Sequence, residues 1–108
     1  RIPDQGSVSD LWIIDLAKQQ EWRPLPEFYQ VAPGGVDWSP DGAFIYFVGE
    51  PAKDEYSNIY KIRPDGTELT QLTRIADGTP GYQSDLSVSE DGSLIAYVKE
   101  VAVSRDGQ

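Results

Sequence analysis

Cysteine, histidine and methionine are all missing from this 108-residue chain. Without cysteine there is no disulfide framework, thiol nucleophile or zinc knuckle. Without histidine the Ser-His-Asp arrangement, the usual general base near neutral pH and the commonest metal ligand are all removed. The serines that remain have no evident base, and none sits in a Gly-x-Ser-x-Gly elbow. Positive charge is also scarce, 9 Lys and Arg against 18 Asp and Glu, for a net charge of −9. Such a surface repels phosphate backbones, and no Lys/Arg stripe offsets it locally, so nucleic acid is not an expected partner. No apolar run approaches the roughly 18–20 residues needed to span a bilayer with a helix. Helical periodicity is lacking too. The chain starts at Arg1 without an initiator and reads as an excised piece of something longer.

What is present is a repeat. Val36–Val48 (VDWSPDGAFIYFV) and Leu86–Val98 (LSVSEDGSLIAYV) align without a gap at an offset of 50. Ser39/Ser89, Asp41/Asp91, Gly42/Gly92, Ile45/Ile95 and Val48/Val98 are identical. A second echo, at an offset of 48, sets Leu11, Trp12 and Ile14 against Ile59, Tyr60 and Ile62. A weaker third sets Arg23–Pro26 against Thr70–Thr73. Offsets of 47 to 50 describe one repeating unit with loops of variable length.

Within the unit, short strands alternate with turns. In Ser39-Pro40-Asp41-Gly42, proline pre-sets φ, aspartate hydrogen-bonds its own backbone and glycine accepts a positive φ. Arg63-Pro64-Asp65-Gly66 repeats this grammar, and Glu90-Asp91-Gly92 keeps it without the proline. The runs between turns are β-branched and aromatic, the composition of strands. Their expected order is 10–16, 22–25, 35–39, 43–49, 58–63, 68–72, 83–88 and 94–98, the last with a possible extension over 101–103. Ala43–Val48 is apolar throughout, which requires burial of both its faces. In the strand that follows, Tyr60 and Ile62 fall on one face and Ile59, Lys61 and Arg63 on the other. Asp15–Glu21 reads as a loop or hairpin rather than a helical turn. Regular short strands with frequent turns mean a sandwich, a barrel or a propeller, and a tandem four-strand unit of just under 50 residues points to propeller blades.

The run from Val36 to Val48, followed by Asn58-Ile59-Tyr60, Asp65-Gly66 and Leu72-Thr73, resembles the WD-like β-propeller repeat of TolB-type proteins. That resemblance implies an all-β fold of four-stranded antiparallel blades, cut as half, whole and half. Residues 1–27 would be the second half of one blade, 28–75 a complete blade and 76–108 the first half of the next. Departures from the pattern are Val88 for the turn tryptophan, Glu90 for the proline and Pro26 for a closing threonine. One blade cannot bury its own apolar faces, so further blades are expected, from a parent chain or from other copies.

The resemblance also implies a non-catalytic protein-interaction scaffold of bacterial origin in an extracytoplasmic location, the periplasm or cell envelope, with protein as its partner. Two alternatives follow from similar repeats: the gating propeller of a prolyl-oligopeptidase-like serine hydrolase, and a carbohydrate-binding propeller. No catalytic, cofactor-binding or metal-binding residue is assigned. Paired carboxylates of the glycosidase kind are available in any acidic β protein and carry no signal here. Asp37, Asp41 and Asp91 are expected to cap turn amides, since none shows the spacing of a calcium loop. Trp38 is expected in a blade core and Trp12 between blades, whereas Trp22, in polar surroundings, is the candidate for exposure. Partner contacts are expected at Trp22, along the polar connection Glu50–Ser57 (Glu50, Lys53, Asp54, Glu55, Tyr56) and at Tyr82 in Asp77–Tyr82.

Overall fold

A computed structural model describes residues 8–25, 28, 30–52, 56–74 and 83–99. Every regular element among them is a β-strand: β1 (Ile13–Asp15), β2 (Gln20–Trp22), β3 (Gln30–Trp38), β4 (Ile45–Glu50), β5 (Asn58–Ile62), β6 (Thr70–Gln71), β7 (Gln83–Val88) and β8 (Ile95–Lys99). They form three antiparallel sheets, β1–β2, β3–β4–β5–β6 and β7–β8. Among the described residues no helix is long and apolar enough to cross a membrane. The expected extension over 101–103 lies outside the described residues.

Local chemistry sets most boundaries. Asp15 accepts the amides of Ala17 and Lys18 at 3.0 Å through one carboxylate oxygen, and the Gln19 amide donates to the Asp15 carbonyl. That closes a tight hairpin over Asp15–Glu21, so β2 begins at Gln20 and not at Trp22 as the sequence suggests. Pro24 then lacks the N–H a ladder needs, and residues 23–25 leave the sheet. β6 is likewise reduced to two residues from the expected 68–72, since Glu68 takes a positive φ of 57°. β3 is longer than expected, running nine residues with a register irregularity between Val31 and Val36. β7 carries a similar irregularity between Ser84 and Ser87, and the two irregular stretches lie side by side, with Gly34 against Asp85.

The sheets stack with the apolar core between them. On one face of the central sheet, Ile45, Phe47, Tyr60 and Ile62 pack with Val31, Leu11, Ile13 and Leu25. On the other, Val48 and Ile59 pack with Leu86, joined by the half-buried Tyr46, Val88 and Ile95. Both faces of β4 are therefore covered, as its unbroken apolar run requires. Phe28, Phe47 and Tyr60 form an aromatic cluster. Phe47 and Tyr60, opposed across β4 and β5, stack at 5.4 Å and 16°, and Phe28 meets both edge-on at 5.4 and 5.0 Å.

Candidate functional site

The two copies of the turn motif fold almost atom for atom alike. In the first, the Gly42 amide donates to the Ser39 carbonyl at 2.9 Å and the Ser39 amide to the Phe44 carbonyl at 2.8 Å. The Ser39 hydroxyl donates to Asp41 Oδ1 at 2.7 Å and accepts the Phe44 amide at 2.9 Å, while the Ala43 amide reaches the same Asp41 oxygen at 3.0 Å. Ser89, Asp91, Gly92, Ser93 and Leu94 reproduce each of these bonds within about 0.1 Å of the first set. In the third turn, Asp65 accepts both the amide and the hydroxyl of Thr67, at 3.0 and 2.6 Å. Gly42, Gly66 and Gly92 take φ of 73°, 91° and 76°, the left-handed conformation that a Cβ disfavours.

This geometry fixes the chemistry of the carboxylates. Hydrogen bonds donated to the ionised form hold Asp41, Asp65 and Asp91 below the usual carboxylate range, led by the Ala43 amide, the Thr67 hydroxyl and the Ser93 amide respectively. Asp91 is brought to about 2. A carboxylate so stabilised is a poor proton acceptor near neutral pH, which fits a turn cap and not a general base. Because the folded values are depressed, this contribution to stability is complete above about pH 4 and is lost as the pH falls through about 2. Carboxyl-carbon NMR titration is expected to show Asp91 titrating near 2; a midpoint at the ordinary 3.8 refutes the turn geometry.

The turn residues gather along one end of the sheets. Pro40 lies against Gly92, and a groove of about 300 Å3 runs past Asp41, Phe44, Lys61 and Asp91. Lys61 Nζ and Arg63 Cζ stand 4.4 and 4.5 Å from the Phe44 ring, and Arg63 also pairs with Glu68. Trp22, 37% exposed, joins the same end by donating its indole N–H to the Pro64 carbonyl at 2.9 Å. Glu50 and Tyr56 sit at the other end of β4, about 20 Å away for a six-residue strand. Both are half-buried, and Glu50 accepts the side-chain amide of Gln30 at 3.0 Å. The proposed contact residues therefore form two separate sets. Lys53, Asp54, Glu55 and Tyr82 lie outside the described residues.

Two expectations change, and one residue was not anticipated. Trp38 is not a core residue: it is 47% exposed and borders, with Trp12 at 54%, Ile14 and Val36, an apolar groove of about 200 Å3 beside β1. Asp37 does more than cap a local amide. One oxygen accepts the Trp38 amide, while the other accepts the Val88 amide of β7 at 2.9 Å, tying two sheets together. Phe28, central to the aromatic cluster, carried no repeat signal because it lies in a variable connection. Among the described residues no group of three acidic, cysteine or histidine side chains is placed to hold a metal ion.

Comparison with known protein families, curated proteins and solved structures returned no match.

Proposed function

We propose that this chain is a segment of a β-propeller of the TolB-like, WD-like repeat type, and that it serves as a non-catalytic protein-interaction scaffold outside the cytoplasm. The observation that carries the reading is the recurrence of one hairpin, with the same bonds from Ser39 and Ser89 to Asp41 and Asp91, on successive stacked sheets. A stack of alike antiparallel sheets is a scaffold architecture: each sheet contacts only its neighbours and offers its end loops for recognition. The depressed carboxylates of the turns are spent on backbone amides, which leaves them to shape loops and not to move protons.

The test is immobilised chain presented in parallel to an extracellular or envelope protein array and to a glycan array. The expected result is saturable capture of a protein, weakened at least tenfold by Trp22→Ala or by alanine at Lys53, Asp54 and Glu55 together. Saturable glycan binding without protein capture overturns the scaffold reading in favour of a lectin.

A further inference from the structure

We infer that Asp41, Asp65 and Asp91 are latent sites of isoaspartate formation, held unreactive by the folded turns and released only when a turn opens. Each is followed by glycine, which hinders attack by its own nitrogen least because it carries no side chain.

The chemistry is an intramolecular condensation followed by hydrolysis. The glycine nitrogen loses its proton and bonds to Cγ of the aspartate, while the carboxyl group gives up one oxygen, so that water leaves. The five-membered succinimide then takes up one water. Opening at the main-chain carbonyl gives isoaspartate, and opening at the former side-chain carbonyl restores aspartate. No oxidant, reductant or cofactor takes part.

Three features of the turns oppose ring closure. The first is the backbone. The amides of Gly42, Gly66 and Gly92 donate to the carbonyls of Ser39, Arg63 and Ser89 at 2.8–2.9 Å. Neither central residue of any of the three turns has a positive φ. Each is therefore a type I turn with the aspartate as its third residue, at a ψ of about 0°. To close the ring, Cβ must eclipse the glycine nitrogen about the Cα–C bond. For an L-residue that is a ψ of about −120°, outside the main allowed regions. A turn must open before its ring can form.

The second feature is the nitrogen, whose departing proton is the one committed to the carbonyl across the turn. The third is the carboxylate. Asp41 Oδ1 accepts the Ser39 hydroxyl at 2.7 Å and the Ala43 amide at 3.0 Å. Asp65 Oδ1 accepts the amide and hydroxyl of Thr67. Asp91 Oδ1 accepts the hydroxyls of Ser89 and Ser93, both at 2.8 Å, and the Ser93 amide at 3.0 Å. These bonds tie the side chain to residues other than the glycine and favour the ionised form. An ionised carboxylate is the poorer electrophile, because its oxygen leaves far less readily than that of the protonated acid.

Modification is also hard to reverse structurally. Isoaspartate adds a methylene to the main chain and leaves its carboxylate on Cα, so the bonds to Oδ1 are lost. The turns at Asp41 and Asp91 join β3 to β4 and β7 to β8. A transient opening at either is thereby converted into a lasting change in a hairpin.

The test incubates the whole chain near neutral pH, folded in buffer and unfolded in concentrated urea. Isoaspartate at each position is read by peptide mapping with electron-transfer fragmentation. Formation at 41, 65 and 91 is expected to be at least tenfold slower in the folded chain. Rates within twofold of each other in the two solvents overturn the inference. Ser89→Ala removes the hydroxyl that donates to Asp91 and accepts the Leu94 amide. In buffer it is expected to speed formation at 91 at least threefold and to leave 41 and 65 unchanged. No rise at 91, or an equal rise at all three sites with unchanged far-UV circular dichroism, overturns the inference. The wild-type comparison needs no variant and decides the matter even where Ser89→Ala unfolds.

Discussion

Replacing Phe47 with alanine lowers the unfolding free energy by about 3–5 kcal/mol in equilibrium urea titration. Phe47 has no exposed surface and lies on an inner strand of the only sheet with four described strands. Its ring stacks on Tyr60 and meets the edge of Phe28, so truncation removes its own contacts and those of two neighbours. The surrounding backbone is tied on both sides by the β3 and β5 ladders and has little freedom to collapse into the cavity. Trp38→Ala is the internal control. A larger side chain is lost, yet at 47% exposure its removal is expected to cost less than half as much. Equal losses at the two positions would place the core elsewhere.

Gly49→Ala is expected to destabilise by about 1–3 kcal/mol through overpacking. Alanine normally gains stability over glycine in a strand, so the sign itself is diagnostic. A Cβ at position 49 would stand 2.8 Å from Phe47 Cε2 and 2.9 Å from Phe28 Cδ2 and Cε2. Both rings are held by the aromatic cluster, so neither yields cheaply. Relief comes from shrinking one of them: Phe28→Leu is expected to recover part of the loss in a double-mutant cycle, with a coupling of at least about 0.5 kcal/mol. Additive losses would show that the clash is not with Phe28.

The sequence by itself determined the strands and the turns. Pro-Asp-Gly and its variants act within about six residues, through Asp41 and Asp91 bonding to amides two positions away and Ser39 to one five positions away, so spacing alone locates them. Alternation along 59–63 and the unbroken apolar run at 43–48 likewise predict which faces of β4 and β5 are covered, since side-chain direction in a strand is a local property. Boundaries were less legible. β6 is shorter than its pattern because Glu68 takes a positive φ that interrupts the extended run, which the composition of 68–72 does not announce.

Only the tertiary structure decided what lies against what. Trp12 and Trp38 have the apolar character of buried residues, but burial requires a neighbour, and among the described residues none covers them. Asp37 belongs to the repeated motif, yet its bond to the Val88 amide exists only because two sheets stack with that offset. Phe28 sits in a connection without repeat signal and still completes the core. In each case the deciding contact joins residues far apart in sequence, and the periodicity of one strand holds no information about the surface that comes to rest on it.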